Sequence, residues 1–177
     1  MELFLADVPA LSALHTTYEN LTKLLLQKGL TITFMESCTS GFLASLITDT
    51  EGSSGAFRGS FVTYANETKI LEGVPAEIIE TYGVYSQETA CAMAETARNH
   101  FSADLALGIT GSLTGTDPAN SDSVSGEIWL HGVSPEKSGS VFLRISGGHS
   151  RFDTKLQTAE AAARLIAFLL DDGKELL

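Results

Sequence analysis

The sequence predicts a three-layer α/β/α domain built on a mixed β-sheet. Three observations predict it. Stretches with helical spacing of apolar residues alternate with short runs of β-branched and aromatic residues along most of the chain. One run, D-L-A-L-G-I-T at positions 104–110, is nearly continuous in apolar character, as a strand covered by helices on both faces must be. The last two strand-like runs are joined by a turn too short for a parallel crossover, so some pairing must be antiparallel.

Residues 17–28 place Tyr18, Leu21, Leu24 and Leu25 on one helical face, and Gly29 supplies a stop. T-I-T-F-M at 31–35 reads as a strand. A polar hexapeptide, E-S-C-T-S-G at 36–41, follows and leads into a helix over 42–47, so it sits at a strand-to-helix turn. Residues 52–55 form a loop, and S-F-V-T-Y at 60–64 a second strand. Asn66 opens a short helix that contains Lys69, and Pro75 opens another, since proline suits a first helical turn. Ser86 caps a helix that runs to about Phe101. After the strand at 104–110, residues 111–126 are rich in Gly, Ser, Thr, Asp and Pro and read as a loop. Strands at 127–133 and 140–145 come next, and an Ala- and Leu-rich helix over 151–170 closes the chain. No internal repeat or linker stands out. The expected organisation is an N-terminal extension over 1–16 and one domain over 17–172.

Composition narrows the function classes. The 177 residues carry 11 Lys and Arg against 22 Asp and Glu, a formal charge of -11. Nucleic-acid affinity rests on clustered cations that neutralise phosphates, and no basic run exists here, so no nucleic-acid partner is expected. A few converging cations can still hold one small phosphate. The two cysteines, Cys38 and Cys91, give no disulfide framework and read as thiols of a reducing compartment. The first residues lack the pattern of a signal peptide, and no apolar run reaches membrane-spanning length. A cytoplasmic protein without a membrane partner is expected, and homo-oligomers are common enough to expect one here.

Three polar clusters fall at predicted strand ends, where open α/β sheets place their ligands. The first is Glu36, Ser37, Cys38, Thr39, Ser40 and Gly41. A serine at a sharp turn before a helix exposes its hydroxyl, and the N–H groups near Thr39 and Ser40 can face an oxyanion or phosphate. Taken singly, Ser37 or Thr39 also reads as an ordinary helix cap. The second cluster spans Tyr64, Asn66 and Lys69. Tyr64 and Lys69 can each take a serine proton, a lysine doing so only when burial or nearby cations lower its pKa. Taken singly, Lys69 also reads as a solvated surface lysine. The third cluster is Thr110 and Gly111, a hydroxyl and free N–H groups that also suit a strand-ending turn. His15, His100, His131 and His149 show no metal-ligand spacing, so no metal is expected. Phosphate-loop and dinucleotide-binding glycine signatures are absent, and Cys38, a rival nucleophile, has no recognisable histidine partner.

With these clusters in hand, the chain resembles the CinA C-terminal domain family of nicotinamide mononucleotide amidohydrolases from about Leu21 to Leu170. M-E-S-C-T-S-G at 35–41 matches the family's A-E-S-C-T-G-G, and F-V-T-Y-A-N-E-T-K at 61–69 matches V-x-Y-S-N-E-x-K. L-x-G-V-P at 71–75, G-V-Y-S at 83–86 and G-I-T-G at 108–111 follow in order. The resemblance implies hydrolysis of the nicotinamide carboxamide to nicotinate mononucleotide and ammonia, without a cofactor. It implies Ser37 as nucleophile, Tyr64 and Lys69 as the groups that activate it, and Thr110 in the site. The family's arginine before its last helix falls on Arg151 if one residue is inserted. Arg151, joined by Lys155, is expected to hold the phosphate, and Glu36, Thr39, Ser40, Gly41, Asn66 and Gly111 are expected as the remaining binding positions. Two segments depart from the pattern. The family's I-A-G-P-G-G-G…K-P-V-G is replaced by residues 112–126, and G-D-R by G-G-H-S-R at 147–151. These departures leave two other readings open: a nucleotide-binding relative that has lost catalysis, and an amidase for a different substrate.

Overall fold

The computed structural model describes residues 1–3 and 7–170. Positions 171 and 172, the end of the expected domain, lie outside the described residues. Strands β1 (Glu2–Leu3), β2 (Ile32–Glu36), β3 (Phe57–Val62), β4 (Leu105–Gly111), β5 (Glu127–Val133) and β6 (Ser138–Arg144) form one sheet in the order β1-β6-β5-β4-β2-β3. β2 runs parallel to β3 and β4, and β5 runs antiparallel to β4 and β6. The sheet is therefore mixed, as the short 133–138 connection requires.

Helices cover both faces. α1 (Leu11–Lys28), α2 (Phe42–Thr48) and α6 (Arg151–Leu170) pack on one side with the inward residues of β2, β4 and β5: Ile32 and Phe34, Leu105, Leu107 and Ile109, Ile128 and Leu130. The Tyr18 hydroxyl donates to the Ala159 carbonyl at 2.9 Å and ties α1 to α6. On the other side lie α3 (Asn66–Leu71), α4 (Ala76–Tyr82) and α5 (Gln87–Phe101), with Met35, Val74, Met93 and Ala97 in contact. α5 lies almost on the sheet because β4 has Gly108 beneath it. A Cβ there would stand 2.1 Å from the Ala90 carbonyl oxygen. The side chains of β4 alternate large toward α1 and α6, small toward α5, so the even apolar run conceals two different faces.

Element bounds depart from expectation by two residues or more in α1, β3 and β6, and β1 is an added strand. α1 starts at Leu11, not Thr17, with Leu14 buried, and Glu2–Leu3 pairs with β6. Part of the expected extension is thus secondary structure. A two-residue strand has no period to read, and the edge of β6 decides its pairing. β6 begins at Ser138, because Ser134 and Lys137 close a tighter turn than expected. β3 starts at Phe57 and ends at Val62, not Tyr64. Its early exit frees the carbonyls of Thr63 and Tyr64 for another partner.

Candidate active site

The E-S-C-T-S-G turn follows β2, the second strand from the sheet's edge. Ser40 and Gly41 both adopt left-handed backbone conformations, φ 55° and 84°, which reverse the chain into α2. Glu36 is fully buried and accepts from the N–H groups of Leu43 at 3.2 Å and Ala44 at 3.0 Å. Burial raises its pKa, and Thr39 and the α2 amides pull the other way. Glu36 therefore fixes this turn through the first amides of α2, and Thr39 is equally buried beside it. The Ser40 N–H, expected as an oxyanion donor, is spent on the Ser37 carbonyl at 3.1 Å, whereas the Thr39 N–H meets no main-chain carbonyl among the described residues.

Ser37 stands at the head of the turn, and Lys69 reaches it from α3. Lys69 is the one buried residue of that short helix, only 1% exposed. Its Nζ lies 3.2 Å from Ser37 Oγ, 2.8 Å from the Thr63 carbonyl oxygen and 3.3 Å from that of Tyr64. Burial lowers its pKa from the usual 10.5 to about 8. When neutral, the amine keeps two N–H bonds, enough for the two carbonyls, and its lone pair is left facing the Ser37 hydroxyl. Cys38 next door behaves oppositely. Burial and the neighbouring Glu36 push its thiol up to about 12, so it stays protonated and is a poor nucleophile. Cys91 is likewise a free thiol.

Tyr64 serves the site differently from expectation. Its carbonyl orients Lys69, while its side chain is 63% exposed and its hydroxyl accepts from Arg151 Nη2 at 3.4 Å. The phenol thus stands at the rim, not against Ser37. Arg151 also donates to the Thr114 carbonyl at 3.1 Å. It opens α6, whose start is held by a reciprocal cap: Ser150 and Asp153 bond each other's N–H. Lys155, one turn further on, is partly buried, and its charge acts on Cys38.

A cavity of about 350 Å³ joins these parts, lined by Ser37, Cys38, Tyr64, Gly111 and Arg151 among others. That is within the size range of small-molecule sites. Thr110 is fully buried and gives its hydroxyl to the Val84 carbonyl at 2.8 Å, which makes it a brace beneath the cavity. Lys155, Asn66 and Ser40 lie outside the lining. Asn66 donates to Asn120 at 2.8 Å and so anchors the 112–126 loop.

Several lining residues are not among the candidates from the sequence, and two of them, Tyr85 and Asp117, are titratable. Tyr85 donates to Asp117 at 2.5 Å, and Asn120 donates to Asp117 at 2.6 Å. Both bonds hold the Asp117 carboxyl below the usual carboxylate range. Tyr85 lies within the G-V-Y-S motif at 83–86. Asp117 lay in the loop whose departure from the family pattern hid it. Among the described residues no group of His, Cys, Asp or Glu could hold a metal ion, and no helix is long and apolar enough to cross a membrane.

Comparison with known proteins bears on the family and the fold. The CinA C-terminal domain matches residues 14–170. A CinA-like protein of Geobacter sulfurreducens is 41% identical over 127 residues, 71% of this chain and 30% of the relative. A CinA-like protein of Gemmatimonas aurantiaca is 36% identical over 137 residues, 76% of this chain and 31% of the relative. The chain thus spans under a third of these curated relatives' length. Among solved structures, the competence/damage inducible protein CihA of Agrobacterium tumefaciens superposes with TM-score 0.83 at 26% identity, covering 94% of this chain and all of the other. A CinA superfamily protein of Enterobacter cloacae shares the fold, with TM-score 0.81 at 20% identity, covering 97% and 99%. The chain belongs to the CinA C-terminal domain family.

Proposed function

We propose that this chain hydrolyses the carboxamide of nicotinamide mononucleotide, giving nicotinate mononucleotide and ammonia. The observation that carries the reading is the Ser37–Lys69 pair. A serine hydroxyl at a cavity faces, at 3.2 Å, an amine that burial prepares to be neutral near pH 8.

The steps follow from the groups present. Neutral Lys69 takes the Ser37 proton as Oγ attacks the amide carbon. The Thr39 N–H donates to the oxyanion, and a donor of this kind is worth about 3 kcal/mol in the transition state. The Lys69 ammonium returns its proton to the leaving nitrogen, the C–N bond breaks, and ammonia departs. Water then attacks the acyl ester, losing its proton to Lys69. As the C–Oγ bond breaks, the Lys69 ammonium returns that proton to Ser37 Oγ, and the product acid leaves as its carboxylate after giving its proton to water. Arg151, steadied by Tyr64 and Thr114, holds the phosphate through charge-assisted bonds. No step calls for a cofactor.

The 112–126 loop favours a second reading, an amidase acting on another carboxamide, because it forms much of the cavity wall and departs from the family pattern. Ammonia release decides. Wild type incubated with nicotinamide mononucleotide is expected to release it, and Ser37→Ala to lose at least roughly 10³-fold in rate. Near-normal turnover by Ser37→Ala removes the nucleophile. Release from other carboxamides only, by folded wild type, selects the second reading, and binding without release selects a binding protein.

A further inference from the structure

The cavity wall holds two charges of opposite sign, and neither has an ionic partner among the described residues. Arg151 spends its bonds on a carbonyl and a phenol. Asp117 receives only neutral donors: the Tyr85 hydroxyl, the Asn120 amide and the Ala119 N–H at 2.9 Å. None of the ion pairs among the described residues involves either residue. These bonds fix the Asp117 carboxylate in place without neutralising it. Tyr64 and Tyr85 line the same cavity, and aromatic faces attract cations. Lys69, the nearest amine to Ser37, already has its carbonyl acceptors. A ligand suited to this wall carries an anion for Arg151 and a cation for Asp117.

We propose that Asp117, held by Tyr85 and Asn120, selects ligands whose carboxamide-bearing ring is positively charged, an N-substituted pyridinium, over neutral rings of the same shape. This rests on reading the cavity as a nucleotide site, but not on hydrolysis taking place there. A charged ring brings its positive nitrogen toward a carboxylate and a phenol ring. A neutral ring gains neither attraction.

The test is isothermal titration of Ser37→Ala protein with two ligands of one shape. One is nicotinamide mononucleotide. The other is the 5′-phosphate of the benzamide C-riboside, which has the same carboxamide and phosphate on a neutral ring. The charged ring is expected to bind at least about tenfold tighter, the size of a cation held by a carboxylate and an aromatic face together. Adding Asp117→Asn is expected to reduce that preference to about twofold or less while affinity for the neutral ligand stays nearly constant. Equal affinities before Asp117 is changed overturn the proposal, and they do so even where Asp117→Asn fails to fold. Equal weakening of both ligands by Asp117→Asn also overturns it, because Asp117 then touches the shared ribose or only shapes the loop. Binding of neither ligand removes the nucleotide reading as well. A charge preference without ammonia release by wild type leaves this proposal standing and removes the hydrolase reading.

Discussion

The two walls of the cavity are built by opposite means. The Ser37 wall is buried, with Glu36, Thr39 and Lys69 all at 1% exposure or less and fixed by several main-chain bonds. The 112–126 wall is largely exposed and is held by side-chain bonds that run from Asn66 through Asn120 and Asp117 to Tyr85. Rigid burial suits bond-making groups, whose rate depends on tenths of an ångström. A hydrogen-bonded loop tolerates substitution, which suits the part that chooses a ligand. The difference teaches where sequence drift is expected to be harmless to chemistry yet able to alter selectivity.

The largest break in this contrast comes from Lys69→Met, expected to cost at least roughly 10³-fold in kcat, read as ammonia release. The same lysine gives a pH signature. Wild-type activity is expected to rise as pH passes about 8, where the amine becomes neutral. Stability follows the same sign. The folded pKa lies below the usual 10.5, so between about 8 and 10.5 the unfolded chain holds more protons and stability climbs with pH. The full gain is about 3 kcal/mol, of which about 2 kcal/mol falls between pH 7.5 and 10; denaturant titrations of wild type at those two pH values are expected to show it and those of Lys69→Met to lack it.

Asn120→Ala tests the other wall. It cuts the link from Asn66 to Asp117, and steady-state kinetics are expected to show KM raised about fivefold with kcat within about twofold, the pattern of lost positioning rather than lost chemistry. Asp117→Asn probes the coupling between the walls. The Asp117 charge raises the Lys69 pKa, so its removal is expected to move the activity limb to lower pH, measured across pH 6–10. An unmoved limb shows that the loop does not reach the catalytic amine electrostatically.

The smallest effect concerns the turn itself. Ser40 holds φ 55° where the family motif has glycine. Ser40→Gly removes left-handed strain of about 1–2 kcal/mol but adds about 0.5–1 kcal/mol of unfolded-state entropy, for a net gain of roughly 0.5 kcal/mol. Thermal melting checks it, and a lowered Tm shows that the Ser40 side chain matters more than its backbone.

Much of this protein was legible in residue order alone. The alternation of periods predicts three layers and a mixed sheet, and the comparisons show that fold. Ser86 as a cap and Gly29 as a stop behave as their local chemistry dictates, because caps and stops depend on neighbours within one turn. Ser37 and Lys69 were named from their motifs, but their 3.2 Å approach depends on β3 lying beside β2 and leaving the ladder at Val62. Long-range packing alone decided that Tyr64 offers a carbonyl rather than a phenol, that Thr110 bonds Val84, and that Glu36 turns inward to α2. It also brought Asp117 and Tyr85 together from 32 residues apart. Residue types state which chemistry a side chain can do, whereas burial and the direction a backbone leaves its strand decide which partner it meets.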